Sequence, residues 1–114
     1  MLAAYNPKIK YINHLTNLKE LYCGYNCSVS DDNIKGLVKL KILDAGGNMN
    51  IKNINHLTNL EVLDCSSDSN ISDDNIKGLF KLKILDAYDN SKIKDISHLI
   101  NLEELNCSGY FCGI

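Results

Sequence analysis

Two kinds of side chain with chemical capacity recur in this sequence at one shared interval. His14, His56 and His98 stand 42 residues apart, and so do Cys23, Cys65 and Cys107. Imidazole and thiolate are the usual nitrogen and sulfur ligands of zinc, and a thiol is also a nucleophile and a redox centre. The acid-rich stretch SDDNIKGL at 30–37 returns at 72–79, but it lacks the glycine and distal glutamate that a calcium loop requires. No phosphate-cradling glycine loop, nucleophile elbow or histidine beside an acid at catalytic spacing is present. The chain is read as non-enzymatic, with no cofactor and no metal.

That reading depends on the elements that must position these residues, and they are set by repetition. Laying residues 9–48 over 51–90 gives 27 identities in 40 positions without a gap, and a third, incomplete copy runs from Ile93 onward. Each 42-residue unit splits into two related halves. One half reads Leu15, Leu18, Leu21, Cys23, Asn26, and the other reads Leu37, Leu40, Leu43, Ala45, Asn48. The series continues through Leu57, Leu60, Leu63, Cys65, Asp68, then Leu79, Leu82, Leu85, Ala87, Asn90, and ends with Leu99, Leu102, Leu105, Cys107. Landmarks at 6, 26, 48, 68, 90 and 110 are spaced alternately by 20 and 22 residues. The two-residue period of Leu21 and Cys23 belongs to a strand with one buried side, and the three-residue period of Leu15 and Leu18 belongs to a turn. A single unit cannot cover such an edge, so neighbouring units must stack. The asparagine closing each strand is expected to form a buried ladder, weaker at Asp68 and Tyr110.

This pattern resembles the leucine-rich repeat over essentially the whole chain, 1–114, read as a single domain incomplete at both ends. The short units, with LTNLKEL and LTNLEVL followed by Ile51/Ile54 or Ile93/Ile96, look most like internalin-type repeats. The cysteine-bearing, Asn/Ile/Lys-rich variant is similar to paralogous leucine-rich repeat proteins of giant DNA viruses. The resemblance implies an α/β fold: a right-handed solenoid with a parallel concave sheet of about six short strands and short helical or extended convex segments.

Stacking disposes of the recurring cysteines and histidines. Strands ~4.8 Å apart put alternate repeats about 10 Å from one another, too far for a disulfide or a shared zinc ion. Cys23, Cys65 and Cys107 are therefore expected to alternate with Ala3, Ala45 and Ala87 as small core residues. The histidines are expected on the outer face, and Cys27 and Cys112 at the surface.

Composition narrows the partner. The net charge is −2, and all twelve basic residues are lysines, so the guanidinium fork that reads guanine and grips phosphate is missing. Nucleic acid is not expected as a partner, and no membrane partner is expected because no apolar run approaches about eighteen residues. MLAAYNPKIK lacks the pattern of a secretory leader, and five cysteines is an odd number. Both suggest reduced thiols and a cytoplasmic setting in a host or producing cell.

The candidate site is the outward side of the strands. Glu20, Ile42, Val62, Ile84 and Glu104 form one row, and Tyr22, Asp44, Asp64, Asp86 and Asn106 form the next. A third row of Gly24, Gly46, Ser66, Tyr88 and Ser108 follows. Eleven of the 13 differences between the two long copies fall at 19–29 and 46–47, the strand and the loop after it. An apolar strip beside an acidic one points to a protein or peptide carrying basic and apolar side chains. The alternative is end-to-end self-association through uncapped solenoid edges: either Tyr110, Phe111 and Ile114 form an improvised lid, or the ends meet other chains. A first check concerns the core column alone: Cys65→Leu should overpack it and cost ~1–3 kcal/mol, whereas Cys65→Ala should be mild, both read from urea unfolding midpoints.

Overall fold

A computed structural model describes all 114 residues. The chain winds as a solenoid in which every coil contributes one three-residue strand to a single parallel sheet. The strands are β1 (Glu20–Tyr22), β2 (Ile42–Asp44), β3 (Val62–Asp64), β4 (Ile84–Asp86) and β5 (Glu104–Asn106), in that order. Five strands form where about six were expected. The sixth is reduced to a single parallel bridge between Leu2 and Tyr22. Pairing keeps one register throughout, with Leu21, Leu43, Leu63, Leu85 and Leu105 aligned. No helix is long and apolar enough to cross a membrane.

The apolar positions read from the repeat fill one continuous core. Leu21, Leu37, Leu40, Leu43, Leu57, Leu60, Leu63, Leu82 and Leu85 have no exposed surface, and neither do Cys23, Ala45, Cys65 and Ala87 beside them. Leu15, Leu18 and Leu102 are only half-buried, and Leu105 is 42% exposed, because the outer coils have a neighbour on one side only. Cys107 is half-buried for the same reason.

The convex side consists of turns, with short 3-10 helices at Asp31–Asn33 and Asp73–Asn75. These are the two SDDNIKGL segments, and their polar residues tie coils together. The Asn33 side chain accepts the Ser30 N–H at 2.9 Å, and Asn75 accepts that of Ser72. Asp31 Oδ1 accepts the N–H groups of Lys52 and Asn53 in the next coil at 2.8 and 3.0 Å, and Asp73 does the same for Lys94 and Asp95. Lys39 donates to Asn17 and Lys81 to Asn59, again between neighbouring coils. His56 and His98 each place Nε2 about 3 Å from a carbonyl of the preceding coil, Ile34 and Ile76, while His14 is exposed.

The asparagine ladder departs from expectation. Asn48 and Asn90 are buried and donate to the preceding coil, Asn48 to Cys23 and Val29 and Asn90 to Cys65 and Ile71, at 2.7–3.1 Å. Asn26 and Asp68, expected in the same column, are exposed. Their coils carry one more residue between strand and ladder, so Cys27 and Ser69 turn inward instead. The true column is 6, 27, 48, 69 and 90, evenly spaced by 21. Each member accepts the N–H two residues on: Asn6 from Lys8, Cys27 from Val29, Asn48 from Asn50, Ser69 from Ile71, Asn90 from Lys92. Cys27 is thus a core residue and not the surface thiol expected from its place outside the leucine pattern.

Cys107 and Cys112 also depart from expectation, since they are joined as a disulfide with their Cα atoms 5.6 Å apart. The repeat spacing showed only that cysteines two coils apart cannot meet. After the last strand the chain turns back, its Phe111 N–H donating to Asp89 Oδ1 and its Gly113 N–H to the Asn90 carbonyl, and a five-residue span brings the pair together.

Removing a ladder amide strands two buried carbonyls. Asn48→Ala should lower the unfolding free energy by ~2–4 kcal/mol, whereas Asn26→Gly, at an exposed position with φ +53°, should change it by no more than about 0.5 kcal/mol; urea denaturation of both variants checks the contrast.

Candidate protein-binding face

The outward rows form as the register predicts. Ile42, Val62 and Ile84 lie side by side and half-buried on β2, β3 and β4, with Glu20 and Glu104 exposed at the two ends of their row. β-branched residues suit this pleated, partly covered surface. The next row pairs Tyr22 with Asp44, Asp44 with Asp64, Asp64 with Asp86 and Asp86 with Asn106. The Tyr22 hydroxyl donates to Glu20 Oε1 at 2.9 Å, and that bond chiefly holds the phenol above its ordinary pKa. Tyr88 stands 42% exposed beside Ser66 and Ser108.

The aspartates do not simply project into solvent. Asp44, Asp64 and Asp86 each turn Oδ1 back to accept the N–H two residues on, from Gly46, Ser66 and Tyr88, at 2.9–3.0 Å. Asn106 makes the same bond to Ser108 at 3.1 Å without carrying charge. The turn is therefore served as well by an uncharged carbonyl oxygen as by a carboxylate, and at Tyr22 it forms with neither. Three like charges nonetheless sit directly across from one another on adjacent parallel strands, ~4.8 Å apart.

The central member feels this most. Burial is the largest cause raising the Asp64 carboxyl above its ordinary value; the Ser66 hydroxyl and N–H oppose it, and the charges of Asp44 and Asp86 add to the rise. No lysine neutralises the row. Lys41 and Lys83 instead flank Glu61, at 3.9 and 3.4 Å, in the row just before the strands.

The flatness of the third row at Gly24 and Gly46 is dictated by close approach of the next coil, of its backbone at Gly24 and of its side chains at Gly46. A Cβ on Gly24 would lie 2.7 Å from the Gly46 carbonyl oxygen, and one on Gly46 would lie 2.8 Å from the Ser66 hydroxyl and 2.9 Å from Asp64 Oδ1. Aromatic rings gather at the loop rim. Tyr25 stacks on Tyr5 with centroids 6.2 Å apart, lies across Gly47 and donates to Ser67 Oγ at 2.9 Å. Sequence spacing did not single out Tyr25; its partner positions, glycine at 47 and serine at 67, are the only trace of it.

The contrast between variable and constant positions has a second cause. Asn17, Asp31, Asn33 and Lys39 are unchanged between the copies because each makes one of the coil-forming bonds described above. Their constancy is structural. The charge row, which no such bond explains, is what distinguishes the strand face.

Comparison with known proteins identifies the fold. No protein-family model matches the sequence, and no curated protein sequence matches it. Among solved structures, an internalin (InlF) of Listeria monocytogenes superposes with a TM-score of 0.70 at 30% identity, over 91% of this chain and 32% of its own. Internalin C2 of the same bacterium matches with a TM-score of 0.59 at 25% identity, over 90% of this chain and 46% of its own. The functional domain of InlJ, also from L. monocytogenes and including a cysteine ladder, matches in fold with a TM-score of 0.59 at 20% identity, over 94% of this chain and 28% of its own. The chain thus spans less than half the length of each of these proteins. It has their leucine-rich repeat fold, in keeping with the internalin-type repeats read from the sequence; none of the three bears on the viral resemblance.

Because Asp64 is held towards its neutral form, folding favours the protonated acid. The stability it contributes is fully present below its unfolded pKa, ~3.9, and is lost as pH rises through the higher folded value. Asp64→Asn should therefore raise the unfolding free energy at neutral pH by ~0.2–1 kcal/mol, and thermal melts repeated in acid should show the gain shrinking as wild type protonates.

Proposed function

We propose that the chain is a non-enzymatic protein-interaction module that takes a protein or peptide on its concave strand face. The observation that carries this reading is the Asp44, Asp64 and Asp86 row. It costs stability, Asn106 shows that an uncharged side chain serves the same turn, and no lysine of the chain offsets it. A row of charge that folding does not require is explained by a partner that supplies the opposite charge.

The partner's chemistry follows from the rows. Lysine or arginine side chains would meet the aspartates, apolar side chains would lie on Ile42, Val62 and Ile84, and Tyr22 and Tyr88 would flank them with rings able to cover a cation. Glu20, Glu104 and Asn106 close the ends of the same face. The leucine-rich repeat fold shared with the internalins supports an interaction role for the whole. A cytoplasmic setting belongs to this proposal through reduced thiols, and the Cys107–Cys112 bond is the feature against which to hold it, since structural disulfides persist in oxidising compartments.

A second reading rests on the outer edge of β5, where Glu104, Leu105 and Asn106 are all exposed. An unpaired parallel edge of this kind can add a strand from a second copy.

A synthetic peptide alternating arginine and leucine, titrated calorimetrically, separates the two. Asp64→Asn with Asp86→Asn should weaken binding about tenfold, equivalent to ~1.4 kcal/mol, and added salt should weaken wild type towards the variant. Unchanged affinity would sink the strand-face reading. Mass that grows with concentration and reverts on Leu105→Lys would establish self-association instead.

A further inference from the structure

The outward rows run straight across the sheet. Each strand pairs with the next without stagger, Ile42 opposite Val62 opposite Ile84 and Asp44 opposite Asp64 opposite Asp86. A partner that meets both rows must therefore repeat along the direction in which the coils stack, at the strand spacing of ~4.8 Å. Each aspartate uses Oδ1 on the N–H of its own turn, and no lysine of the chain pairs with any of the three. One uncompensated carboxylate per strand is thus presented beside one half-buried β-branched side chain.

Backbone conformations differ in whether they can keep that step. In an extended chain laid along the row, side chains on one side recur every ~6.6–6.8 Å and fall about 2 Å further out of step at each strand. Such a chain cannot put one cation on each of the three carboxylates. A polyproline helix returns to the same side every third residue, ~9.3 Å, close to the ~9.6 Å of two strand spacings. It would meet Asp44 and Asp86 and pass over Asp64. An α-helix advances ~5.4 Å per turn. From Asp44 to Asp86 it drifts by only about 1.2 Å, which the flexible stems of lysine and arginine absorb.

The separation of the two rows suits a helix as well. Ile42 and Asp44 stand two residues apart on β2, about 6.6 Å. Consecutive helical residues diverge by about 100° around a body ~10 Å wide, so an apolar column and a cationic column one position further on come down on neighbouring rows. Beyond the aspartates, Gly24 and Gly46 carry no side chain and leave room for the flank of such a body.

We propose that the strand face takes its partner as an amphipathic α-helix laid across the strands, with lysine or arginine once per turn over Asp44, Asp64 and Asp86 and an apolar column over Ile42, Val62 and Ile84. The inference rests on the strand-face reading above and adds the partner's conformation and direction. From β1 to β5 the face spans four strand intervals, ~19 Å, the length of about thirteen helical residues.

Three peptides of one length, all with the same arginines, leucines and alanines, are titrated calorimetrically against the full chain. The first is stapled as a helix and carries its arginines every third or fourth position, each one place after a leucine. The second alternates the arginines and leucines between alanine ends. The third is stapled like the first, with the arginines scattered around the helix. The stapled amphipathic helix should bind at least tenfold tighter than either of the others, and Asp64→Asn with Asp86→Asn should weaken it about tenfold. If the alternating peptide binds as tightly and is weakened by the same substitutions, the helix is overturned while the strand face stands. Scattered arginines that bind equally well overturn the helix too. Affinities of all three peptides unmoved by the substitutions would bring down the strand-face reading and the helix with it.

Discussion

Everything in this molecule depends on how a coil turns out of the sheet. At that point the backbone of each coil faces an apolar interior, and a buried amide or carbonyl without a partner costs ~1–3 kcal/mol. The column at 6, 27, 48, 69 and 90 meets that demand, with one side-chain acceptor per coil for the N–H two residues on. Asn48 and Asn90 do more, because an amide also donates, and their NH2 groups reach back to two carbonyls of the coil before. Leucine supplies the adhesion between coils, but it is indifferent to small shifts along the sheet. The polar column and the Asp31 and Asp73 clamps make one stacking register better than its neighbours.

Much of this was legible in the sequence because leucine spacing is a direct imprint of burial. The strands, their register and the three outward rows followed from Leu21, Leu43, Leu63, Leu85 and Leu105 alone. The turn column was misread at Asn26 and Asp68 because a single added residue in a turn leaves the leucine spacing untouched while rotating a different side chain inward. The acceptors two residues before Val29 and Ile71 were the missing sign, and they become visible only when cysteine and serine are counted as ladder members along with asparagine. Cys112 was illegible for another reason: outside the repeat there is no copy against which to compare it.

The strand face shows a different balance of forces. Its glycines are fixed by the close approach of the next coil and its isoleucines suit a pleated surface, so neither needs a partner to account for it. The aspartates differ, since their hydrogen bonds are satisfied but their charges are not, and the cost falls on Asp64 at the centre of the row. Under the proposed function, stability and recognition pull against each other at this residue.

The even 21-residue column combined with strands spaced alternately by 22 and 20 makes two sorts of coil, one with cysteine directly after its strand and the other with alanine. An amide-bearing coil reaches back to a cysteine-bearing one, and the reverse contact is built differently. Loss of a single coil would bring two coils of one sort together, with an amide facing carbonyls that another amide's neighbours were shaped to offer. Loss or gain of a pair leaves every junction of a kind already present. Unequal recombination in such a gene would therefore yield viable descendants in steps of two coils, and 27 identities in 40 positions between the 42-residue units are what this mode of growth would leave.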